Sequence, residues 1–327
     1  MIYTNDYHLP DEIVAAIKAK DYEPKPDPYR VSVTTFKDAP LKAFLRKKYH
    51  AEIVTDVADQ FWALKGDLFH SLMEKHTDGA ITAEQKWEVA YKEITLVGKQ
   101  DHYNAARETI RDWKTTTAYL SDDKVLEWEK QLNMYAWMAR KQGLKVSNIE
   151  IVGEFRDWMK RSADEANFGM LSPLQKKLTA VFKERFAKDP GKIAKCKYPP
   201  VPVLTFSSNA GDLKLWSDEE CEEYIEGRYQ VFIKAIKLYV EDKVHEITPC
   251  TAEERWAKGE AWAVMKEGQK QAIRGGVCKS LAEAEEVAGD DPKLSIQHRP
   301  GSDKNCLEYC QVAEHCPYFR KIYYGEQ

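Results

Sequence analysis

No stretch of the chain reaches the roughly 18 uninterrupted apolar residues that a membrane-spanning helix requires. The opening MIYTNDYHLPDEIV is too polar for a secretory signal. With 16 Gly and 14 Pro in 327 residues, the sequence is also poor in the residues that mark collagen-like and low-complexity chains. Charge of one sign is not in excess: 49 Lys and Arg stand against 53 Asp and Glu, a formal net charge of -4. The overall basic surplus common among nucleic-acid binders is therefore missing, although net charge averages over a surface and does not exclude such a partner. Seven cysteines in a long chain without a signal peptide do not read as a disulfide framework, because a cytosolic compartment keeps thiols reduced. These absences lead to the expectation of a cytoplasmic protein. Its 43% apolar and 11% aromatic content suffices for a sizeable core, in one large domain or two modest ones.

The period of the apolar residues organises what is there. SVTTFKDAPLKAFLRKKYH opens on Ser32 and Thr34 and reads as one capped helix. In 57–76, Phe61, Leu64, Leu68, Leu72 and Met73 recur at three- and four-residue intervals, which predicts a helix with that stripe facing the core and His70 on or beside it. Residues 88–97, 98–104 and 108–116 read as strands, with a turn around Asn104-Ala105-Ala106. A helix over 124–142 and a strand over 147–158 follow. Residues 175–198 then carry eight Lys or Arg against two acids, either a solvated helix face or a phosphate-contacting surface. YPPVPVL at 198–204 reads as a connector, and 217–243 as a helix with an acidic first turn. WAVMKEGQKQAIR suits a small hairpin, LAEAEEVA a helix, and the end is rich in cysteine. This order predicts a mixed α/β core over 1–200 with one side of its sheet free for a site, and a helical region with a hairpin and cysteine tail over 201–327.

Asp112-Trp113-Lys114 stands out chemically. On a strand, Asp112 and Lys114 project from the same face, a carboxylate beside an ammonium. A metal-dependent phosphodiesterase needs such a pair: the carboxylate to anchor a hard divalent cation, the lysine to orient water or to offset charge on the phosphorane. A short hairpin would bring Asp101 beside Asp112, with Gly98 allowing close backbone approach. His70 offers an imidazole, and Gln131 and Tyr135, four apart on a helix, face one way. Each group taken alone also has a plain structural reading: a core histidine, an aspartate serving a turn, polar edges of a core helix, an ion pair. Together those readings would have to coincide with the order and spacing of an active site.

Gly66-x-x-x-His70, Gly98-x-x-Asp101, Asp112-x-Lys114 and Gln131-x-x-x-Tyr135, in that order, resemble the PD-(D/E)xK nuclease superfamily, in its RecB-like branch that includes CRISPR-adaptation and phage exonucleases. The resemblance covers about residues 30 to 160. It implies a restriction-endonuclease-like mixed sheet flanked by helices. It also implies Mg²⁺ or Mn²⁺ held by His70, Asp101, Asp112 and the carbonyl of Trp113, with Lys114 positioning water and Gln131 and Tyr135 completing the site. The implied activity is a metal-dependent exonuclease acting at DNA ends in phage recombination, replication or repair. Its partners would be DNA and a recombination or single-strand-annealing protein, in the host cytoplasm if the chain is phage-encoded. A non-catalytic DNA-end-binding module on the same fold is the alternative, and a redox metalloprotein a third.

Cys306-x3-Cys310-x5-Cys316-Pro317 supplies three thiolates for one metal centre. In many RecB-like nucleases an iron–sulfur cluster takes its remaining ligand from a cysteine just before an N-terminal proline. Here the comparable place reads Asp38-Ala39-Pro40. Cys250, in ITPCTAEERW, is the preferred replacement, ahead of His315 and Cys278. The expected group is a four-iron cluster with a structural role, with zinc as the alternative.

Overall fold

The computed structural model of the 327-residue chain describes residues 1–21, 23–75, 81–163, 198–199 and 201–326. Apart from Tyr198, the basic segment 175–198 lies outside the described residues. The described strands are β1 (Ile2–Thr4), β2 (Arg30–Ser32), β3 (Val54–Asp56), β4 (Ile81–Ala83), β5 (Lys86–Tyr91), β6 (Ile94–Lys99), β7 (His102–Asn104), β8 (Thr109–Thr116), β9 (Asn148–Phe155), β10 (Val203–Ser207), β11 (Ala257–Lys258), β12 (Ala261–Lys266), β13 (Ala272–Cys278), β14 (Leu294–Arg299) and β15 (Ser302–Asp303). The described helices are α1 (Asp11–Lys18), α2 (Val33–Lys37), α3 (Pro40–Lys48), α4 (Phe61–Glu74), α5 (Asp122–Lys141), α6 (Asp218–Val240), α7 (Leu281–Ala288), α8 (Lys304–Glu308) and α9 (Pro317–Tyr324).

Two compact units result: Tyr3–Lys37 with Thr55–Lys237, and Met1–Ile2 with Asp38–Val54 and Leu238–Gln327. The division does not fall at residue 200, where the sequence reading put it. Val203–Ser207 stays in the first unit because it adds to the sheet there, pairing antiparallel with β9 from Val203↔Glu154 to Ser207↔Glu150. Asp38–Val54 joins the tail, where Phe44 packs on Tyr239 (4.9 Å between ring centroids) and Lys48 pairs with Asp242 at 2.7 Å.

The first unit has the expected mixed α/β class. Its five-stranded sheet runs β10-β9-β8-β7-β4, with β8 and β9 parallel and the other neighbours antiparallel; a second sheet runs β2-β6-β5. Helix α5 is capped by Ser121, whose Oγ accepts from Lys124 N–H, and has acids in its first turn and bases in its last, as the helix dipole favours. Leu132 to Ala139 are all buried, because this stretch packs among β5, β8, β9 and α2. An all-round buried segment explains a run with so little amphipathic contrast.

Three local expectations change. Residues 88–97 are not one strand but most of a hairpin, β5 and β6, turned where Lys92 takes a φ of 50°. The single helix expected from Ser32 is two, α2 and α3, parted at Asp38-Ala39, because Pro40 has no N–H and holds Ala39 extended (ψ 126°). In α4 no residue is fully buried, and Leu68 and Leu72 of the expected core stripe are 62% and 52% exposed. Its sequence FWALKGDLFHSLME is apolar on more than one face, so periodicity alone does not select the buried one.

In the second unit, β13-β12-β14 form an antiparallel sheet against which α7 packs through Val264, Cys278 and Ala284. Both the hairpin and the helix were expected there. No described helix is long and apolar enough to cross a membrane.

Candidate active site

The antiparallel pairing of β7 with β8 matches His102 with Arg111, and one step further along the same register sets Asp101 opposite Asp112. The Trp113 N–H donates to Asp101 Oδ2 at 2.9 Å, which holds the carboxylate against the strand. From α4, His70 Nδ1 reaches the same oxygen at 3.3 Å. Helix α4 is held near β8 partly by Phe69, whose ring meets Trp113 edge to face at 6.0 Å.

Asp112 is the most confined of these groups, 2% exposed. Lys114 Nζ lies 2.5 Å from its Oδ2, yet that oxygen has no hydrogen-bond partner of suitable direction. Burial pushes the Asp112 carboxyl above the usual carboxylate range, against the pull of Lys114. Burial acts upward on Asp101 too, but there the bonds from His70 and from the Trp113 N–H outweigh it and hold its pKa below the ordinary value. The Asp101 carboxylate in turn raises the pKa of His70.

Gln131 and Tyr135 meet on α5, where Gln131 Nε2 donates to the Tyr135 hydroxyl at 3.1 Å. Burial, with the Asp112 charge nearby, raises the Tyr135 phenol well above its ordinary pKa, so it stays a neutral donor. Gly98 makes this approach possible: a Cβ there would lie 2.9 Å from Met138 Sδ and 2.9 Å from the Tyr135 ring.

Sequence reasoning missed Glu84. It sits after β4, whose antiparallel pairing with β7 ends at Ala83↔His102, and its N–H donates to the Asp101 carbonyl at 3.2 Å. Donor atoms of His70, Glu84 and Asp101 lie within 4.8 Å of one another, and Lys99 pairs with the Glu84 carboxylate. Asp112 stands outside that trio. Nothing in the local run Ile81-Thr82-Ala83-Glu84-Gln85 separates this glutamate from the other acids of the chain; only the pairing of two three-residue strands does.

This donor set fits a divalent cation. Two carboxylates and an imidazole converge, and a buried carboxylate oxygen without a directional partner lies on the neighbouring strand.

In the second unit, Cys250, Cys306, Cys310 and Cys316 line one cleft of about 340 Å³, part of it open to solvent, together with Leu45 and Phe319. The other two candidate ligands lie elsewhere: Cys278 is buried against α7, and His315 stacks on Tyr49 with centroids 4.2 Å apart. Arg255 secures the Cys250 turn by donating to its carbonyl, and is itself bonded to Asp303 and laid over the Tyr318 ring at 4.2 Å. Burial pushes the Cys250 thiol up to about 12 and Cys306 up to about 11. Among the described residues, no three of these sulfurs lie within 4.8 Å of one another. Four thiols gathered in this way suit either a zinc ion or an iron–sulfur cluster, since cysteine-only donor sets hold both.

No family model matches this chain, and no curated protein matches it. Solved structures share parts of its backbone. One, described as SSO0001, aligns with a TM-score of 0.35 at 16% identity over 45% of this chain and 71% of its own. Another, a phage-related exonuclease from Haemophilus somnus 129PT, aligns with a TM-score of 0.28 at 11% identity over 71% of this chain and 81% of its own. Both likenesses are partial, and neither decides what the chain does.

Proposed function

We propose that the chain is a metal-dependent deoxyribonuclease that hydrolyses phosphodiester bonds at DNA ends. The observation that carries this reading is the convergence of His70, Glu84 and Asp101 beside the buried Asp112–Lys114 pair. Those four acid and imidazole groups would hold Mg²⁺ or Mn²⁺. Bound there, the cation would polarise a phosphate oxygen and lower the pKa of its water. Lys114, 20% exposed at its side chain, would orient the attacking water and offset charge on the phosphorane. Tyr135, kept protonated, would support the Asp112 and Lys114 side through its hydroxyl. Exonuclease action, DNA as the partner, and a place in phage recombination or repair remain those the motif resemblance implies.

The four-cysteine cleft supports a second element of the same reading, an iron–sulfur cluster with a structural role. Four cysteines lining one cleft support it, and a zinc ion on the same thiolates is the alternative.

The test is incubation of end-labelled linear, circular and single-stranded DNA with the purified chain and Mn²⁺. Progressive shortening of the linear forms is expected. A protein that shifts DNA without shortening it would be an end-binding module instead, and cleavage retained by pure Asp112→Ala would refute the assignment.

A further inference from the structure

Trp62 begins α4 and does not enter the core: it is 45% exposed. Two cations gather over its ring, the Arg156 guanidinium at 4.0 Å and the Lys65 ammonium at 4.4 Å from the centroid. Among the described residues no carboxylate pairs with either cation, in a chain whose acids outnumber its bases. Attraction to the ring quadrupole accounts for their place, and among the described residues two positive charges stand there without a carboxylate partner.

That spot is tied to the candidate active site by two routes. Arg156 follows β9, and its N–H donates to the Thr116 carbonyl at 2.9 Å, so it leaves the sheet at the carboxyl ends of the parallel strands β8 and β9, the end where open α/β sheets take ligands. Thr116 is four residues beyond Asp112, about 13 Å along a strand. Trp62 is eight residues before His70 on one helix, about 12 Å by helical rise. Both routes give a distance of about three to four nucleotides at 3.4 Å each.

We infer that Trp62, Lys65 and Arg156 form a landing for the single-stranded end of a DNA substrate, the indole stacking on a base and the two cations meeting its phosphates. This rests on the nuclease reading and deepens it. The occupant is a single strand because the face of an indole takes an unpaired base, whereas a base in a duplex offers only its edges. Lys65, on a flexible four-carbon stem, yields to the base, while Arg156 is anchored through the sheet.

The test uses the full chain with Ca²⁺ in place of Mg²⁺, and fluorescence anisotropy of a labelled single-stranded 12-mer and a blunt duplex. Trp62→Ala should weaken binding of the 12-mer about tenfold, the value of one base stack, and Trp62→Phe should restore most of it. Arg156→Ala should reduce the salt slope by about 0.7, as expected for one phosphate on a single strand. Duplex binding should change less than twofold. Equal binding of the 12-mer by wild type and Trp62→Ala, or equal losses on both DNAs, would overturn the landing. Hydrolysis of bis(p-nitrophenyl) phosphate with Mn²⁺, a substrate too small to reach Trp62, should be the same in wild type and Trp62→Ala; its loss in the variant alone would overturn the landing as damage to the active site. A wild-type protein that holds the 12-mer through Trp62 but cleaves neither the ester nor DNA would support the landing and sink the nuclease reading.

Discussion

Asp101 accepts the main-chain N–H of Trp113, and that bond fixes a carboxylate just ahead of β7 relative to the Asp112 carboxylate on β8. Asp101 therefore meets His70 and Glu84 while Asp112 stays buried beside Lys114. The two acids differ in environment, and their pKa values move in opposite directions.

Asp112→Asn should abolish metal-dependent cleavage, by three orders of magnitude or more in end-labelled DNA assays. Its melting temperature should move little, because the lost ion pair and the relieved burial of a charge oppose each other. Normal cleavage by this variant would remove Asp112 from the proposed centre.

Gly98→Ala should destabilise the protein by about 1–3 kcal/mol, since its Cβ would crowd Tyr135 and Met138 in a packed interior. Urea unfolding measures this, and a loss of activity larger than the loss of folded protein would show that Tyr135 has moved.

A protonated His70 cannot hold a metal, and Asp101 keeps that proton on above the ordinary imidazole value of 6.5. Cation affinity should thus rise as pH increases through the region above 6.5, which calorimetric titration with Mn²⁺ can follow. In the metal-free protein the sign reverses. The raised His70 pKa contributes stability that is complete below the unfolded value and lost as pH rises through the folded one, while the lowered Asp101 pKa contributes stability lost as pH falls. The difference in melting temperature between wild type and His70→Gln should narrow at both extremes.

Glu84→Gln should weaken Mn²⁺ binding on the order of tenfold or more with little effect on stability, because what it loses in the folded protein is the ion pair with the largely exposed Lys99. Unchanged affinity would confine Glu84 to a structural ion pair.

Anaerobically purified protein should show a broad visible absorption band and bound iron. Cys250→Ser should reduce both, whereas Cys278→Ser should reduce neither, because Cys278 lies in the small core beneath α7. A zinc content of one per chain without iron would favour a single ion.

Much of this was readable along the chain because it depends on neighbours in sequence. The apolar period announced α5 over 124–142, and β8 and β9 were legible as strands, since side-chain period is a local property. Asp112 and Lys114 share a face for the same reason, and Gln131 and Tyr135 sit one helical turn apart. Glu84 was not readable, because only the pairing of β4 with β7 brings it to Asp101. Nor was the outward side of α4, whose apolar residues offer two faces. Sequence by itself determined which chemical groups the chain possesses and which of them lie on one strand or helix face. Tertiary structure alone decided which distant groups meet and which lose water, because register and burial are set by contacts between segments far apart in the chain.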